Sequence, residues 1–411
     1  MADRPPADSD EPTDGSPDAP QQSSSDKADD AGTDGGSAQT DPASPAVPSG
    51  DGDGDSASAE PSTHFVGRHK VLLLVSLGVV LLLVIGGSAG YLYWANSRIG
   101  AVPRVEAGIT PAPGKNHNEA KYPLNILLLG ADHGNVGQSV AEDLADGKWT
   151  PFKHLSDTII VMHIPANRKS AQLISIPRDS WVKVRGYPSD SGLAKINAAF
   201  SYGGPELAVD TVQKLTGMTI DHVAMIDWVG FRELTDALGG VRIYIPEGFT
   251  DTSQNVEWVK GYETLEGERA LQYVRTRHDL PGPVQDDFGR IARQQNFLRA
   301  LMGQLLAHST TRNPIRFGKV LNTLTKFLTV DSSWDNDEIR DLAFSLRDIS
   351  SADVRFVTAP FASYGMVDGQ SIVRLDKPKL RQLIRNVEND HIQRYLNKYP
   401  EQKLAGDKSV N

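Results

Sequence analysis

The stretch LNILLLGAD, residues 124–132, decides the fold. It is a short apolar run that ends in Gly130 and Asp132, the pattern of a buried strand leading into a loop. Working outward, TIIVMHI (158–164) and AQLISI (171–176) are β-branched runs separated by Pro165, Ala166 and Asn167, which predicts a hairpin. Helical patterns follow at 195–203 and 205–216, the second starting at Pro205–Glu206 and stopping at Gly217. Strands at 221–226 and 241–245 bracket a helix over 228–238, whose aliphatic side chains either face the core or line a groove. A helix–strand unit near 266–277 comes next, and in it Arg275 and Arg277 alternate near a strand end and share one side. A long helix is expected from about 288 to 307. Beyond it come helices near 314–328, 336–347 and 377–396, and a strand at Val354–Val357. This mixture reads as α/β: an α/β/α sandwich with a central mixed sheet over 121–390, followed by a C-terminal tail, 391–411.

The composition before residue 121 is different. Residues 1–63 hold fifteen acids against Arg4 and Lys27, so the rest of the chain is about +3 although the whole is −10. That segment has almost no large apolar side chains, which predicts a disordered acidic tail over 1–69. Asp51, Asp53 and Asp55 mimic the start of a calcium loop, but Ser56 and Ser62 stand where Gly and Glu are required. No charge falls between Lys70 and Arg98, and the apolar run VLLLVSLGVVLLLVIGGSAGYLYW is long enough to cross a hydrocarbon core. Its aromatic end (Tyr91, Tyr93, Trp94) suits a lipid–water boundary. The expectation is one transmembrane helix over 70–95, the tail inside, a Pro-rich stalk over 96–120, and the C-terminal domain outside the cell membrane. The chain has no cysteine, which excludes disulfides, thiolate nucleophiles and cysteine-held zinc.

The charged residues at the expected strand ends carry the chemistry. They are Asp132, Asp157, Arg178 with Asp179, Arg275, Arg277, then Asp287, Arg290, Arg293 and Gln294. Arginine forks match phosphate oxygens, and a carboxylate pair holds a hard divalent cation against them. In open α/β sheets ligands sit outside the strand ends, where these residues are expected. Each has an ordinary reading when taken singly. Asp132 is a turn residue, Arg178–Asp179 a local ion pair, Arg275 and Arg277 a solvated strand face, and Asp287 a helix cap. The glycines Gly203 and Gly204 belong to no Walker pattern, and no HExxH motif supports zinc.

At this point the chain resembles the LytR-CpsA-Psr family of cell-wall assembly enzymes. The resemblance rests on NILLLGAD (125–132), SDTIIVMHIP (156–165), ISIPRDSWV (174–182), KINAAFSYGGPELAVDTVQ (195–213), DALGGV (236–241), ALQYVRTRH (270–278) and DDFGRIARQQNFL (286–298). It implies a membrane-anchored phosphotransferase, actinobacterial in type. Such an enzyme joins a polyprenyl-pyrophosphate-linked glycopolymer to an N-acetylmuramic acid hydroxyl of peptidoglycan and releases polyprenyl phosphate. By the resemblance, Asp132 and Asp157 hold magnesium or manganese. Arg178, Arg275, Arg277 and Arg290 cradle the pyrophosphate, Gln294 bonds a phosphate oxygen, Arg293 is an adjacent candidate, and Asp179 or Asp287 is the base. Two departures stand out. Leu155 occupies a position where many members carry Arg, and His133–Gly134 follow Asp132 where an Arg is common; Lys153 or His154 are candidate substitutes. The rival readings are a polyprenyl-pyrophosphate phosphatase and a non-catalytic envelope regulator or receptor. Nucleic acid is not an expected partner, because no helix-turn-helix with a basic face is present.

Overall fold

Alternation along LNILLLGAD sends its side chains to opposite faces of a sheet, and both faces are covered. The computed structural model describes residues 83–109, 122–132, 149–276 and 287–410; for Asp132 and Asp287 it describes the backbone alone. The expected acidic tail, the first part of the expected span, residues 110–121, and Arg277 lie outside the described residues.

The central sheet has seven strands in the order β1-β12-β7-β2-β3-β4-β13. These are β1 (Arg104–Val105), β2 (Leu124–Asp132), β3 (Leu155–Ile164), β4 (Ala171–Ile176), β7 (His222–Asp227), β12 (Leu328–Asp331) and β13 (Val354–Thr358). The expected hairpin is present as the antiparallel β3–β4 pair. β2 runs parallel to β7 and antiparallel to β3, so the sheet is mixed. Leu127 and Leu129 join a core with Phe200, Leu207, Leu383 and Tyr395 on one face. Leu124 and Ile126 join Leu173, Val330 and Phe356 on the other. Helices α1 (Asn197–Thr216), α7 (Lys377–Glu388) and α8 (Ile392–Lys398) cover the first face. The second is covered by α4 (Asp287–Leu305) and α6 (Asn336–Ser345). A further cluster joins α2 (Trp228–Leu238), α3 (Gly267–Arg275) and α5 (Pro314–Phe327) with β8 (Val241–Ile245) and β11 (Gly261–Leu265).

Four expectations need correction. The described residues of the 266–277 segment, up to Thr276, hold no strand: Gly267–Arg275 is helical, with Ala270, Leu271, Tyr273 and Val274 buried at helical spacing. Arg275 is therefore the last residue of a helix, not one of an alternating strand pair. Residues 104–105 belong to the sheet rather than to a stalk, because β1 pairs with β12. Residues after 390 are no loose tail: Tyr395 and Leu396 are buried in the core, and Leu404 N donates to Phe356 O. The single helix expected over 377–396 breaks at Asp390, whose φ is 57°. As for the expected span, residues 83–99 are helical, and among the described residues no helix is long and apolar enough to cross a membrane.

One buried histidine makes the sheet pH-sensitive. His163 on β3 is 1% exposed, its Nδ1 2.7 Å from Asn125 Oδ1. Burial lowers its pKa from 6.5 to about 4, against the opposing pull of Asp390 and Asp221. The unfolded chain takes up this proton near the ordinary value and the folded chain does not. Stability is thus full above pH 6.5 and lost as pH falls toward 4, by about 3 kcal/mol. Urea denaturation at pH 7 and pH 4.5 should show this loss in the wild-type chain and a smaller one in His163→Gln. Equal losses in both would assign the pH dependence to other groups.

Candidate active site

A β-bulge sets the first acid of the site. β2 and β3 pair in register up to Gly130↔Thr158, then resume at Ala131↔Ser156, leaving Asp157 as the extra residue. A bulge re-aims a side chain at a sheet edge. Gly130 permits it, because a Cβ there would lie 2.9 Å from Thr158 Cβ. Asp132 follows one residue later on β2, opposite Leu155, so the two acids leave the same end of adjacent strands.

Arg178 and Asp179 follow β4 in a turn fixed on three sides. Ser180 Oγ donates to Pro177 O at 2.6 Å. Asn197 N donates to Arg178 O at 3.2 Å, and Val373 N to Asp179 O at 2.9 Å. From this frame Arg178 Nη1 reaches Asp157 Oδ1 at 2.5 Å, and its Nε lies 3.7 Å from Asp179 Oδ2. Lys195 Nζ then meets Asp179 Oδ1 at 2.8 Å. The result is a row of alternating charge, Asp157–Arg178–Asp179–Lys195, whose side chains are 15–23% exposed. Partial exposure leaves it open to a ligand while weakening the competition of bulk water.

Lys195, the first residue of KINAAFSYGG, joins the site although no role for it follows from the sequence motifs. The signal was its place at the end of strand β6 (Leu193–Lys195), which pairs with β5 (Trp181–Lys183) directly after the Arg178–Asp179 turn.

The remaining arginines separate by environment. Arg275 ends α3 with its guanidinium 4.7 Å from the centre of the Trp228 ring, a cation–π contact that orients it. Arg290 and Arg293 are buried on α4. Arg293 donates from Nη2 to Thr276 O, and Gln294 Nε2 donates to Val274 O at 3.3 Å. Both side chains therefore hold the end of α3 in place. Burial lowers the Arg293 pKa from 12.5 to about 10, opposed by Tyr273 and Asp251. The side chain of Asp287 and the whole of Arg277 lie outside the described residues.

Residues 149–155, which hold Leu155 and the candidate substitutes Lys153 and His154, form a wall. Pro205 has no N–H, so the Ser201 carbonyl loses its helical donor. Phe152 N takes that place at 2.8 Å, and Trp149 Nε1 donates to the same oxygen at 3.2 Å. The helix bends at Gly203 and Gly204, the latter with φ 68°, and this lets Trp149 pack against it. Phe152 is held at φ 67° and is 57% exposed, a strain sustained by the Ser201 carbonyl, which accepts from both Phe152 N and Trp149 Nε1. Beside it opens a cavity of about 450 Å³ lined by Phe152, Leu155, Trp181, Tyr187, Lys195 and Asp368 among others. His154 is fully buried, its ring centre 5.4 Å from that of Trp149, so it belongs to this wall. The α2 helix turns Trp228, Leu234 and Thr235 inward, and Gly230 seats against Phe327 of α5, which favours core over groove for that face.

Asp157 and Asp132 are the residues of this site that could hold a divalent cation. A magnesium or manganese ion takes one or two carboxylates and completes its shell with substrate phosphate and water. The bulge brings the Asp157 and Asp132 positions to one strand end. Among the described residues there is no cluster of three or more metal-ligating side chains.

Comparison with known proteins agrees with this architecture. The cell-wall biosynthesis protein LcpA of Corynebacterium glutamicum is 31% identical over 355 residues, spanning 78% of this chain and 65% of its own length. The chain thus spans slightly less than two thirds of that relative. A protein of Enterococcus faecalis named TagU, a polyisoprenyl-teichoic acid–peptidoglycan teichoic acid transferase, is 27% identical over 79% of this chain and 97% of its own. The crystal structure of Bacillus subtilis TagV shares the fold, with a TM-score of 0.52 at 23% identity over 66% of this chain and 98% of that one. The LytR_cpsA_psr family model matches residues 101–389, and the chain belongs to that family.

Proposed function

We propose that this chain is a membrane-anchored phosphotransferase. It joins a polyprenyl-pyrophosphate-linked glycopolymer to a peptidoglycan hydroxyl through a phosphodiester, with its C-terminal domain on the outer face of an actinobacterial membrane. The observation that carries the proposal is the Asp157–Arg178–Asp179–Lys195 row at the strand ends of a family-matched domain.

In this reading the acceptor oxygen attacks the glycan-linked phosphorus. The bond from that phosphorus to the bridging oxygen breaks, and polyprenyl phosphate leaves with the electron pair. Arg178 and Arg275 draw the non-bridging oxygens into place and offset their growing charge. Asp157 fixes the Arg178 fork. Asp179, set between Arg178 and Lys195, takes the acceptor proton; little general-base strength is needed when the transition state is loose. The cavity beside Lys195 offers aromatic rings and serine hydroxyls, a lining suited to a sugar ring of the acceptor. A magnesium ion held by Asp132 and Asp157 would supply further charge neutralisation at the phosphates.

The test is mass spectrometry of products from the full chain in detergent, given polyprenyl-pyrophosphate oligosaccharide, magnesium and peptidoglycan fragments. A phosphodiester-linked adduct, lost in Arg275→Ala, is expected. Free phosphorylated glycan with no adduct would mean that water is the acceptor and the chain is a phosphatase. Lipid binding without turnover would favour a receptor.

A further inference from the structure

From residue 288 to residue 330 the chain contains no acid, and it carries Arg290, Arg293, Arg299, Arg312, Arg316, Lys319 and Lys326. The first three lie on α4. The others lie on α5 and the turn leading into it, where residues 311–317 are exposed without a break. That tip includes large apolar groups: Ile315 is 72% exposed and Phe317 36%. The helix is firmly built even so. Pro314 occupies its first turn, and Asn313 caps it by accepting from Ile315 N and Arg316 N. Its buried residues are Val320 and Thr325, further along, so the tip presents both its cations and its apolar groups outward.

What the tip touches gives its setting. Tyr91 OH donates to Pro314 O at 3.2 Å. The Trp94 ring lies 3.3 Å from where a Cβ on Gly318 would sit, so the glycine lets the two helices close up. Arg98 stands over the same ring at 5.7 Å. Tyr91 and Trp94 form the aromatic end of the expected span, the kind of residue that marks a lipid–water boundary. The first turn of α5 is thereby fixed beside that aromatic end.

We infer that residues 308–319 form a lipid-facing foot, in which Arg312, Arg316 and Lys319 meet anionic headgroups while Ile315 and Phe317 enter the interface. The inference rests on the reading of residues 70–95 as a membrane span. An acid-free basic stretch mixed with exposed aliphatic and aromatic groups is the composition that binds such a surface. A foot of this kind would hold the domain at one height above the membrane, where a lipid-borne substrate meets it.

The chain lacks cysteine, so a single introduced thiol can be labelled cleanly. Ile315→Cys, Leu83→Cys and Lys214→Cys would each carry an environment-sensitive fluorophore in the full chain. Each would be reconstituted in nanodiscs of phosphatidylcholine with and without phosphatidylglycerol, some containing spin-labelled lipid as quencher. The label at 315 should shift to the blue and be quenched in anionic discs, the label at 83 in all discs, and the label at 214 in none. Adding Arg312→Ala, Arg316→Ala and Lys319→Ala should weaken the foot's partition roughly a hundredfold, at roughly fivefold per base. A water-like label at 315 beside a lipid-embedded label at 83 would overturn the foot and leave the anchor intact. Equal quenching with and without anionic lipid would overturn its charge recognition. A water-like label at 83 would remove the membrane reading and the foot with it.

Discussion

Replacing Arg178 with alanine is expected to lower transfer about a thousandfold, equivalent to about 4 kcal/mol of transition-state stabilisation, in a chain that stays folded. Arg178 spans two carboxylates, Asp157 at 2.5 Å and Asp179 at 3.7 Å. Its removal takes one fork from the phosphate site and releases Asp157, which would hold the metal. The side chains concerned are 15–17% exposed, so water can reach the carboxylates left behind and the loss of stability is limited. Arg178→Lys should recover folding fully and rate only in part, because an ammonium gives charge without the planar two-point grip. Initial rates of adduct formation together with thermal melts of both variants are the measurements. Wild-type rates in Arg178→Ala would show that the phosphate sits elsewhere, and a collapsed melt would recast the residue as structural.

Much of this frame was legible from local pattern. β2 and the β3–β4 hairpin are apolar or β-branched runs bounded by turn residues, and strands of that kind are fixed by burial on both faces. The Arg178–Asp179 turn could be placed because it follows such a strand directly. The bulge at Asp157 could not, since it arises from the register between two strands and from what Gly130 permits opposite Thr158. The misreading of 266–277 has a local cause: Tyr273, Val274 and Thr276 favour strands, and nine residues give a helix little periodicity to show. The burial of Ala270, Leu271, Tyr273 and Val274 follows the helical spacing instead. The Phe152 anchor was also beyond local pattern. Pro205 announces a freed carbonyl, but nothing in the sequence says which distant N–H will take it.

Arg293→Ala should have the other large effect, chiefly on stability and secondarily on rate. The sequence makes Arg178 a cradle for the anion and Arg293 an adjacent candidate, and their surroundings part them further. Arg293 is 0% exposed, donates to Thr276 O, and is drawn electrostatically toward Tyr273 and Asp251. Asp251 is itself fully buried, and burial alone would raise its pKa. Hydrogen bonds from Ser253, Gln254 and Thr276 bring it below the ordinary value instead, so it remains charged. Alanine would remove a positive charge from the neighbourhood of that carboxylate, leave the Thr276 carbonyl without this donor, and open a void where a large side chain had packed. The combined cost is about 3–5 kcal/mol, or a fall in Tm of roughly ten degrees. Arg293→Lys should keep much of the stability yet still slow transfer, because Thr276 directly follows Arg275 and the Arg293 bond sets where Arg275 leaves the backbone. Thermal denaturation followed by circular dichroism, with the transfer assay alongside, separates the two roles. A melt unchanged in Arg293→Ala with transfer abolished would return this arginine to the phosphate site. A lowered melt, with rates near wild type well below the transition, would leave it as packing alone.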